Sequence, residues 1–317
     1  MSQLPWPESF LASAGWRGVR RMLARCLQLQ AAGSLPGTLM LVGPAGLGRE
    51  ALAIELAATL VCRRQGGPGC DCSSCQRVRR GVHPDVEAID VLPEKTEISI
   101  EQAHQVVDNV VQRPYEGMRR VWILSSCHTP PLNAEAASAL LKTLEEPPWH
   151  ASFLLLASNP ARVLPTIVSR AVQLRVPHPG REELLSLLAL AHGCSVERAA
   201  EMLTGAEGDA ELALRGGEGL SSTLTGLEEL ISAALGADGL AILRTVATAR
   251  QLPSGTDLVG AALLRLAAKA DREAAERFLN AAAALVIAED RRALLHLDAE
   301  SVLVGTLARI AVGWGGR

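Results

Sequence analysis

Aromatic side chains are nearly missing from this 317-residue chain: they make up 3% of it, with one tyrosine. A core must therefore come mostly from leucine, valine and alanine, which favours helical packing. Uninterrupted apolar runs are also short, and none reaches the roughly 18 residues of a membrane span. The opening MSQLPWPESF has neither the basic start nor the apolar centre of a secretion signal. These absences predict a cytoplasmic protein without a membrane anchor, in which thiols stay reduced. An excess of positive charge is missing as well. Lys and Arg total 31 against 34 Asp and Glu, a net charge of −3 that argues against a nucleic-acid clamp built from the whole surface and leaves room for a local basic face. There is no repeat of fixed period and no extended low-complexity tract. What remains is the composition of a folded protein, 48% hydrophobic and 21% charged. Single cores rarely grow past about 250 residues, so the length predicts two or three domains.

Up to Pro177 short apolar runs alternate with helical periodicities. Strands are predicted at Leu39–Val42, Val86–Val91, Val121–Leu124, Phe153–Ala157 and Val172–Val176, and helices at Arg17–Ala32, Glu50–Val61, Ile100–Gln112 and Ala134–Glu145. This alternation predicts an α/β fold around a mostly parallel sheet, whose ligands sit at the C-terminal strand ends. Beyond Pro177-His178-Pro179-Gly180 the strand signals stop. Helices are predicted at Arg181–His192 and Ser195–Leu203, with a short third one opened by Gly205–Ala210. A Gly/Ser-rich link, Gly216–Ser222, precedes Leu/Ala-rich helical patterns that run to Ile310. The expected division is an α/β domain at 1–178 with a cysteine module at about 62–83, a small helical domain at 179–218, and an all-helical domain at 219–317.

The loop after the first strand reads Gly43-Pro44-Ala45-Gly46-Leu47-Gly48-Arg49-Glu50. It meets the phosphate-binding pattern G-x-x-x-x-G-K-[ST] at Gly43 and Gly48, then departs from it twice. Arg49 stands in place of the phosphate-contacting lysine and Glu50 in place of the magnesium-ligating hydroxyl. Backbone amides of such a turn, Gly46 among them, can still cradle an anion at a helix N-terminus. Arginine is no clean substitute for lysine's point charge, and the Glu50 carboxylate falls where polyphosphate would lie. The loop is expected to join strand to helix with little or no ATP binding and no turnover. The strand that would carry acids for magnesium and water reads Val121-Trp122-Ile123-Leu124-Ser125-Ser126-Cys127-His128, without a carboxylate.

Cys62, Cys70, Cys72 and Cys75 follow the loop's helix in the spacing Cys-x7-Cys-x-Cys-x2-Cys. Four thiols so close in a reducing compartment predict a tetrahedral structural Zn²⁺ site, with unligated or redox-active thiols as the alternative. The Cys70-Asp71-Cys72 spacing is tighter than usual. Cys26, Cys127 and Cys194 are expected to pack as apolar residues. Arg63, Arg64, Arg77, Arg79 and Arg80 surround the cluster against one acid, Asp71. They form either a surface for nucleic acid or an acidic partner, or a solvated face; both readings stay open. Further on, Ala137, Leu140, Leu141 and Leu144 share one helical face that Pro147 ends. Ser158 and Asn159 follow a buried strand and could face a phosphate. Arg170 precedes the last strand, where it caps its own sheet or reaches a neighbour's nucleotide.

Taken together, the inserted cysteines, His83-Pro84-Asp85, the LLKTLEEPP stretch at Leu140–Pro148 and Pro165–Arg170 resemble the delta-prime subunits of the bacterial DNA polymerase III clamp loader, within the AAA+ superfamily. The likeness spans roughly residues 15–177. It implies an AAA+ P-loop domain with an inserted zinc module, a helical lid and a C-terminal helical collar for oligomerisation. It also implies a non-catalytic stator, one part of the polymerase holoenzyme with little or no ATPase activity by itself. Its partners would be the tau/gamma motor and delta subunits and, through the complex, the sliding clamp and primer–template DNA. The family's Ser-Arg-Cys motif maps to Ser169-Arg170-Ala171, with Arg170 acting in trans on the neighbouring motor's ATP, Ser169 supporting it and the cysteine lost. A lid sensor arginine would fall near Gly208, where there is none. Two rivals are an active AAA+ clamp-loader motor and a zinc-dependent nucleic-acid-binding module on an inactive AAA+ scaffold.

Overall fold

The computed structural model describes residues 16–92, 97–125, 127, 132, 134–206, 208, 210, 213–214, 220–235, 245, 248–249, 255–295, 303–304 and 307. They fall into two compact units, residues 1–187 and 188–317. Ser126 and His128, and the end of the last helical pattern at Ile310, lie outside the described residues.

The first unit contains α1 (Arg17–Ala31), β1 (Thr38–Val42), α2 (Arg49–Val61), α3 (Ser73–Arg79), β2 (Val86–Ile89), α4 (Ile100–Val110), β3 (Arg120–Leu124), α5 (Ala134–Glu145), β4 (Ala151–Ala157), a 3-10 turn (Pro160–Arg162), α6 (Pro165–Val168) and β5 (Val172–Arg175). The start of α7 (Arg181–His192) also belongs to it. The strands form one sheet in the order β2-β3-β4-β1-β5, and every neighbouring pair is parallel. β1, β3 and β4 are buried throughout, the pattern expected of strands covered on both faces. That double cover is why they read as unbroken apolar runs in the sequence. Trp122 of β3 stacks on Phe153 of β4, ring centroids 5.2 Å apart, so two of the few aromatics anchor the sheet's middle. Burying side chains of that size contributes about 1.5–3 kcal/mol each.

All five predicted strands and four predicted helices of this unit occur, with ends shifted by at most two residues and Ala134–Glu145 unshifted. β2 stops at Ile89 because Asp90 Oδ1 accepts the Val91 amide (2.8 Å), turning the chain out of the sheet. α4 begins with a complete capping box between Ser99 and Gln102. On α5, Ala136, Ala137, Leu140, Thr143 and Leu144 are buried, and Leu141 of the expected stripe is half-buried. The helix end is fixed where Thr38 Oγ1 donates to Leu144 O (2.8 Å) and Pro147 packs against Gly37. A Cβ at Gly37 would sit 2.4 Å from Pro147 Cγ, which explains the glycine there. α3, α6 and the 3-10 turn carry no periodic signal and were not expected.

The second unit is helical where described. The rest of α7 leads to α8 (Val196–Gly205), capped by Ser195 Oγ on the Arg198 amide, and then to α9 (Leu220–Leu235), α10 (Gly255–Lys269) and α11 (Arg272–Leu295). α10 packs on α9 and α11 through Leu224, Leu227, Ile231, Leu258, Val259, Leu263 and Phe278. Glu228 is buried among them and is held by Arg265 and Lys269 Nζ (2.5 Å). No helix among the described residues is long and apolar enough to cross a membrane.

Candidate functional site

The loop between β1 and α2 lies at the C-terminal end of the sheet's middle strands. Gly43 N–H donates to Ala157 O (3.0 Å), tying the loop's entrance to the tip of β4. Gly46 and Gly48 have φ of 75° and 105°, and a Cβ at Gly48 would meet Val19 Cγ2 at 2.7 Å. Glycine at 48 is thus required twice over, by backbone and by space. The two residues that break the phosphate-binding pattern are both turned inward, with side chains only 8% (Arg49) and 4% (Glu50) exposed. Gly46 N–H donates to Glu50 Oε2 (3.0 Å) and Arg49 Nε donates to Glu50 Oε1 (2.9 Å). Arg49 Nη1 then donates to Gly43 O (2.7 Å) and to Ser158 Oγ (2.8 Å). The Gly46 amide and the Arg49 guanidinium do hold an anion, and it is the chain's own carboxylate. Burying this pair costs solvation, offset by charge-assisted hydrogen bonds on both partners. Beside it, burial pushes the Cys127 thiol up to about 12 although Arg49 opposes the shift, and its Sγ donates to Leu156 O (3.0 Å). The predicted phosphate-facing residues divide: Ser158 joins the Arg49 network, while Asn159 caps the 3-10 turn through the Ala161 amide (2.9 Å).

At the far end of α2 the four cysteines converge. Their sulfurs lie within 4.8 Å of one another, with Cys62 Sγ 3.8 Å from Cys70 Sγ and 3.9 Å from Cys72 Sγ. Four Zn–S bonds of about 2.3 Å in a tetrahedron put sulfurs about 3.8 Å apart, so this donor set fits a zinc ion. The tight Cys70-Asp71-Cys72 spacing displaces none of the four. A side chain at Gly66 would collide with Cys70 Sγ, 2.5 Å from the ideal Cβ position, so the glycine turn is part of the cradle. Cys72 Sγ caps α3 by accepting the Cys75 amide (3.5 Å); that bond leads the causes that bring its thiol down to about 7, toward the thiolate a metal needs. Cys75, buried against Ala58 O (3.5 Å), is shifted upward by burial. Around the sulfurs Arg79 forks onto Glu55 through Nε (2.5 Å) and Nη2 (2.8 Å), and its Nη1 holds Cys70 O (2.7 Å). Such outer contacts orient ligands.

The arginines around the cluster are not alike. Arg79 is tied to Glu55 and Arg77 to Glu116 (2.5 Å), while Arg63, Arg64 and Arg80 are exposed with no acidic partner among the described residues. His83 and Asp85 have structural work here. Asp85 accepts the amides of Tyr115 (2.6 Å), Glu116 (2.9 Å) and Gly117 (2.7 Å), and its own N–H donates to His83 Nδ1 (3.1 Å). Burial holds the His83 ring below its ordinary pKa although Glu116 and Asp85 oppose the shift, and its Nε2 lies 2.8 Å from Ser74 Oγ and 3.2 Å from Glu116 Oε1.

On the rim before β5, Arg170 Nε donates to Glu145 Oε2 (2.8 Å), and Nη1 reaches Thr166 O (3.1 Å) and Ser169 Oγ (3.4 Å). Ser169 Oγ donates to the same Thr166 carbonyl (3.1 Å). The Arg170 side chain is 29% exposed and Glu145 57%, so a half-buried arginine meets an exposed acid. Gly208, in the second unit, has φ 84° and donates its N–H to Leu203 O (2.9 Å), closing α8 as a left-handed glycine cap.

A family model described as DNA polymerase III, delta subunit, matches residues 20–179, half of the chain. Among curated proteins, the delta-prime subunit of DNA polymerase III from Pseudomonas aeruginosa is 40% identical over 187 residues, 58% of this chain and 53% of that one. The chain belongs to the DNA polymerase III delta-prime family. The delta-prime subunit of Yersinia pestis is 39% identical over 127 residues, 39% of this chain and 37% of its own. The tau subunit of Escherichia coli is 30% identical over 244 residues, 73% of this chain and 36% of tau. The match thus spans about half the length of the Pseudomonas delta-prime and less of the other two. A solved gamma subunit-related protein of DNA polymerase III from Thermotoga maritima overlaps 91% of this chain and 98% of its own at 21% identity and a TM-score of 0.41, too loose to add to the assignment.

Within this delta-prime chain, sequence reasoning missed Glu55 as the fork partner of Arg79 and Asp85 as an amide cradle. An acid in the run Ala51–Val61 of α2, where Thr59 is the only other polar residue, was the available signal for Glu55, since such a charge needs a partner. For Asp85 the donors lie 30–32 residues away, and no local pattern marks them.

Proposed function

We propose that this chain is the non-catalytic stator of a bacterial clamp loader: it lacks ATP turnover of its own and lends Arg170, braced by Ser169, to the ATP site of a neighbouring tau/gamma motor subunit. It works in the cytoplasm with motor and delta subunits, and through them on the sliding clamp and primer–template DNA. Residues 1–178 serve as the AAA+ domain, with a structural Zn²⁺ on Cys62, Cys70, Cys72 and Cys75, residues 179–218 as the lid and residues 219–317 as the oligomerising collar.

The observation that carries this reading is the Glu50 carboxylate bonded to the Gly46 amide and to Arg49 inside the loop. ATP would have to displace a buried, doubly bonded anion from its own donors, and there would be no hydroxyl at 50 to hold magnesium. Gly43, Gly46, Gly48, Arg49 and Glu50 then act as a closed strand-to-helix turn. This speaks against the active-motor rival. Arg170, by contrast, is engaged only by exposed residues, Glu145 through an ion pair and Thr166 O and Ser169 Oγ through Nη1. Exposed pairs contribute about 0–1 kcal/mol, so a neighbour's phosphate can take Arg170 over at little cost. An arginine supplied in trans accelerates phosphoryl transfer by about 10³–10⁵. The knuckle rival is weakened because two of its five arginines already hold Glu55 and Glu116.

The test is reconstitution with cognate motor and delta subunits, wild type against Arg170→Ala. The complex is expected to assemble normally, while clamp- and DNA-stimulated ATP hydrolysis loses the share of the site that Arg170 serves. Unchanged hydrolysis in an intact complex would sink the assignment.

A further inference from the structure

A second charged feature lies on α1, away from the loop, the thiols and the Arg170 rim. The helix carries Arg17, Arg20, Arg21 and Arg25 and no acid. Arg17, Arg21 and Arg25 recur at every fourth residue and so line one face, where like charges repel. A positive first turn also opposes the helix dipole. Neither arrangement stabilises the helix, and both suit an anion alongside it.

That face borders a cleft of about 680 Å³ lined by Arg17, Arg21, Arg25 and Arg181, with Met22 and Pro177 among its apolar surfaces. All four arginines are exposed, and none forms a salt bridge among the described residues. Glu182 and Glu183 also border the cleft, so four guanidinium groups face two carboxylates. Glu183 is engaged from below: its Oε1 accepts the Arg17 amide (2.8 Å) and its Oε2 the Gly180 amide (3.0 Å). Those amides, Arg17's first, keep its carboxyl below the usual range, with the charges of Arg17 and Arg21 adding to them. Glu183 thus ties the start of α7 to the first residue of α1 through backbone amides, without using a guanidinium.

The cleft is not the loop's own nucleotide pocket. Trp16 and Val19 pack against Gly48, and with Leu23 and Cys26 they form the buried face of α1. At about 100° per residue the arginine row lies roughly opposite that face. The row also has the wrong length for a single phosphate: successive members are about 6 Å apart along the axis and the three span about 12 Å. A line of phosphates matches it.

We propose that the cleft between α1 and the start of α7 binds the phosphate backbone of a DNA strand, with Arg21, Arg25 and Arg181 as its main contacts and Met22 and Pro177 as the surface beneath. Arginine matches phosphate geometry bidentately, and a charged groove along a backbone gives sequence-independent binding. The choice of DNA among polyanions rests on the proposed clamp-loader role. Its test is separate: the Arg170 experiment is read in ATP hydrolysis of the complex, this one in DNA affinity of the full chain alone.

The experiment measures anisotropy of a labelled oligothymidylate with the full chain across a sodium chloride series. R21Q/R25Q/R181Q is expected to weaken binding roughly tenfold or more and to reduce the salt slope of log K by about 2, since each single-strand phosphate contact adds about 0.7. Because these side chains are exposed, the variant's thermal melt should match wild type. R63Q/R64Q/R80Q, at the zinc knuckle, should leave affinity and slope nearly unchanged. The proposal is overturned if wild type shows no binding, if the first variant retains wild-type affinity and slope, or if only the knuckle variant loses them. It is equally overturned if ATP, pyrophosphate or polyglutamate competes as well as DNA at matched charge.

Discussion

Glu50 shows how one residue can close a site that the backbone still builds. Read in sequence, it only removes a magnesium ligand and repels phosphate. In the fold it accepts from Gly46 N–H and Arg49 Nε, and Arg49 is held in turn by Gly43 O and Ser158 Oγ. Removing the carboxylate would leave a buried guanidinium and a loop amide without their anion. Breaking a buried pair from one side costs about 3–5 kcal/mol, so Glu50→Ala is expected to lower the melting temperature clearly. Sulfate in place of chloride at equal ionic strength should restore more stability to this variant than to wild type, because the vacated donors now take an external anion. Equal sulfate effects on the two proteins would show that the loop does not bind an anion. The sequence made the pattern break visible; it did not reveal the inward rotamer, because one partner, Ser158, lies 109 residues away. The Arg170–Glu145 contact was hidden for the same reason, 25 residues apart and on different elements.

Among the elements, those that read clearly from sequence are the ones whose apolar pattern is set by burial on two faces: β1, β3, β4 and the helices that cover them. α3 did not read at all. Its seven residues, SSCQRVR, have no periodic stripe, and its start is fixed by the Cys72 sulfur. Its end is pinned to α2 by the Arg79–Glu55 fork. Such a helix depends on the thiol cluster. Cys72→Ser, or zinc withdrawal by a chelator, is expected to raise amide exchange across residues 62–82 while the β1, β3 and β4 amides stay protected. Metal analysis of the untreated chain should give one zinc. Loss of protection throughout the sheet would instead make the cluster a global support. The other end of the same module rests on Asp85, whose carboxylate takes three amides of the 115–117 turn. Hydrogen bonds to a charged group are worth about 1.5–3 kcal/mol each. Asp85→Ala should therefore cost at least about 3 kcal/mol in denaturant unfolding of the first unit, and Asp85→Asn less, since it keeps an acceptor.

For the whole molecule, the question is whether chemistry supported by this chain takes place in it or beside it. The inward-facing loop has its own carboxylate as anion, whereas the outward-facing rim holds an arginine by a weak, exposed ion pair. That difference predicts opposite sensitivities. Glu145→Gln removes the charge that holds Arg170 in place; as an exposed pair it should change folding stability by less than about 1 kcal/mol. With that charge gone Arg170 keeps only Thr166 O and Ser169 Oγ, so on the proposed trans role stimulated ATP hydrolysis in the reconstituted complex should stay at or slightly above wild type while Arg170→Ala reduces it. A Glu145→Gln loss as deep as that of Arg170→Ala would mean that the pair itself, and not the free arginine, is the working unit. In that case Glu145 would position Arg170 for the trans site, and Arg170→Lys, which keeps the charge but not the fork, should fail to rescue hydrolysis in either background.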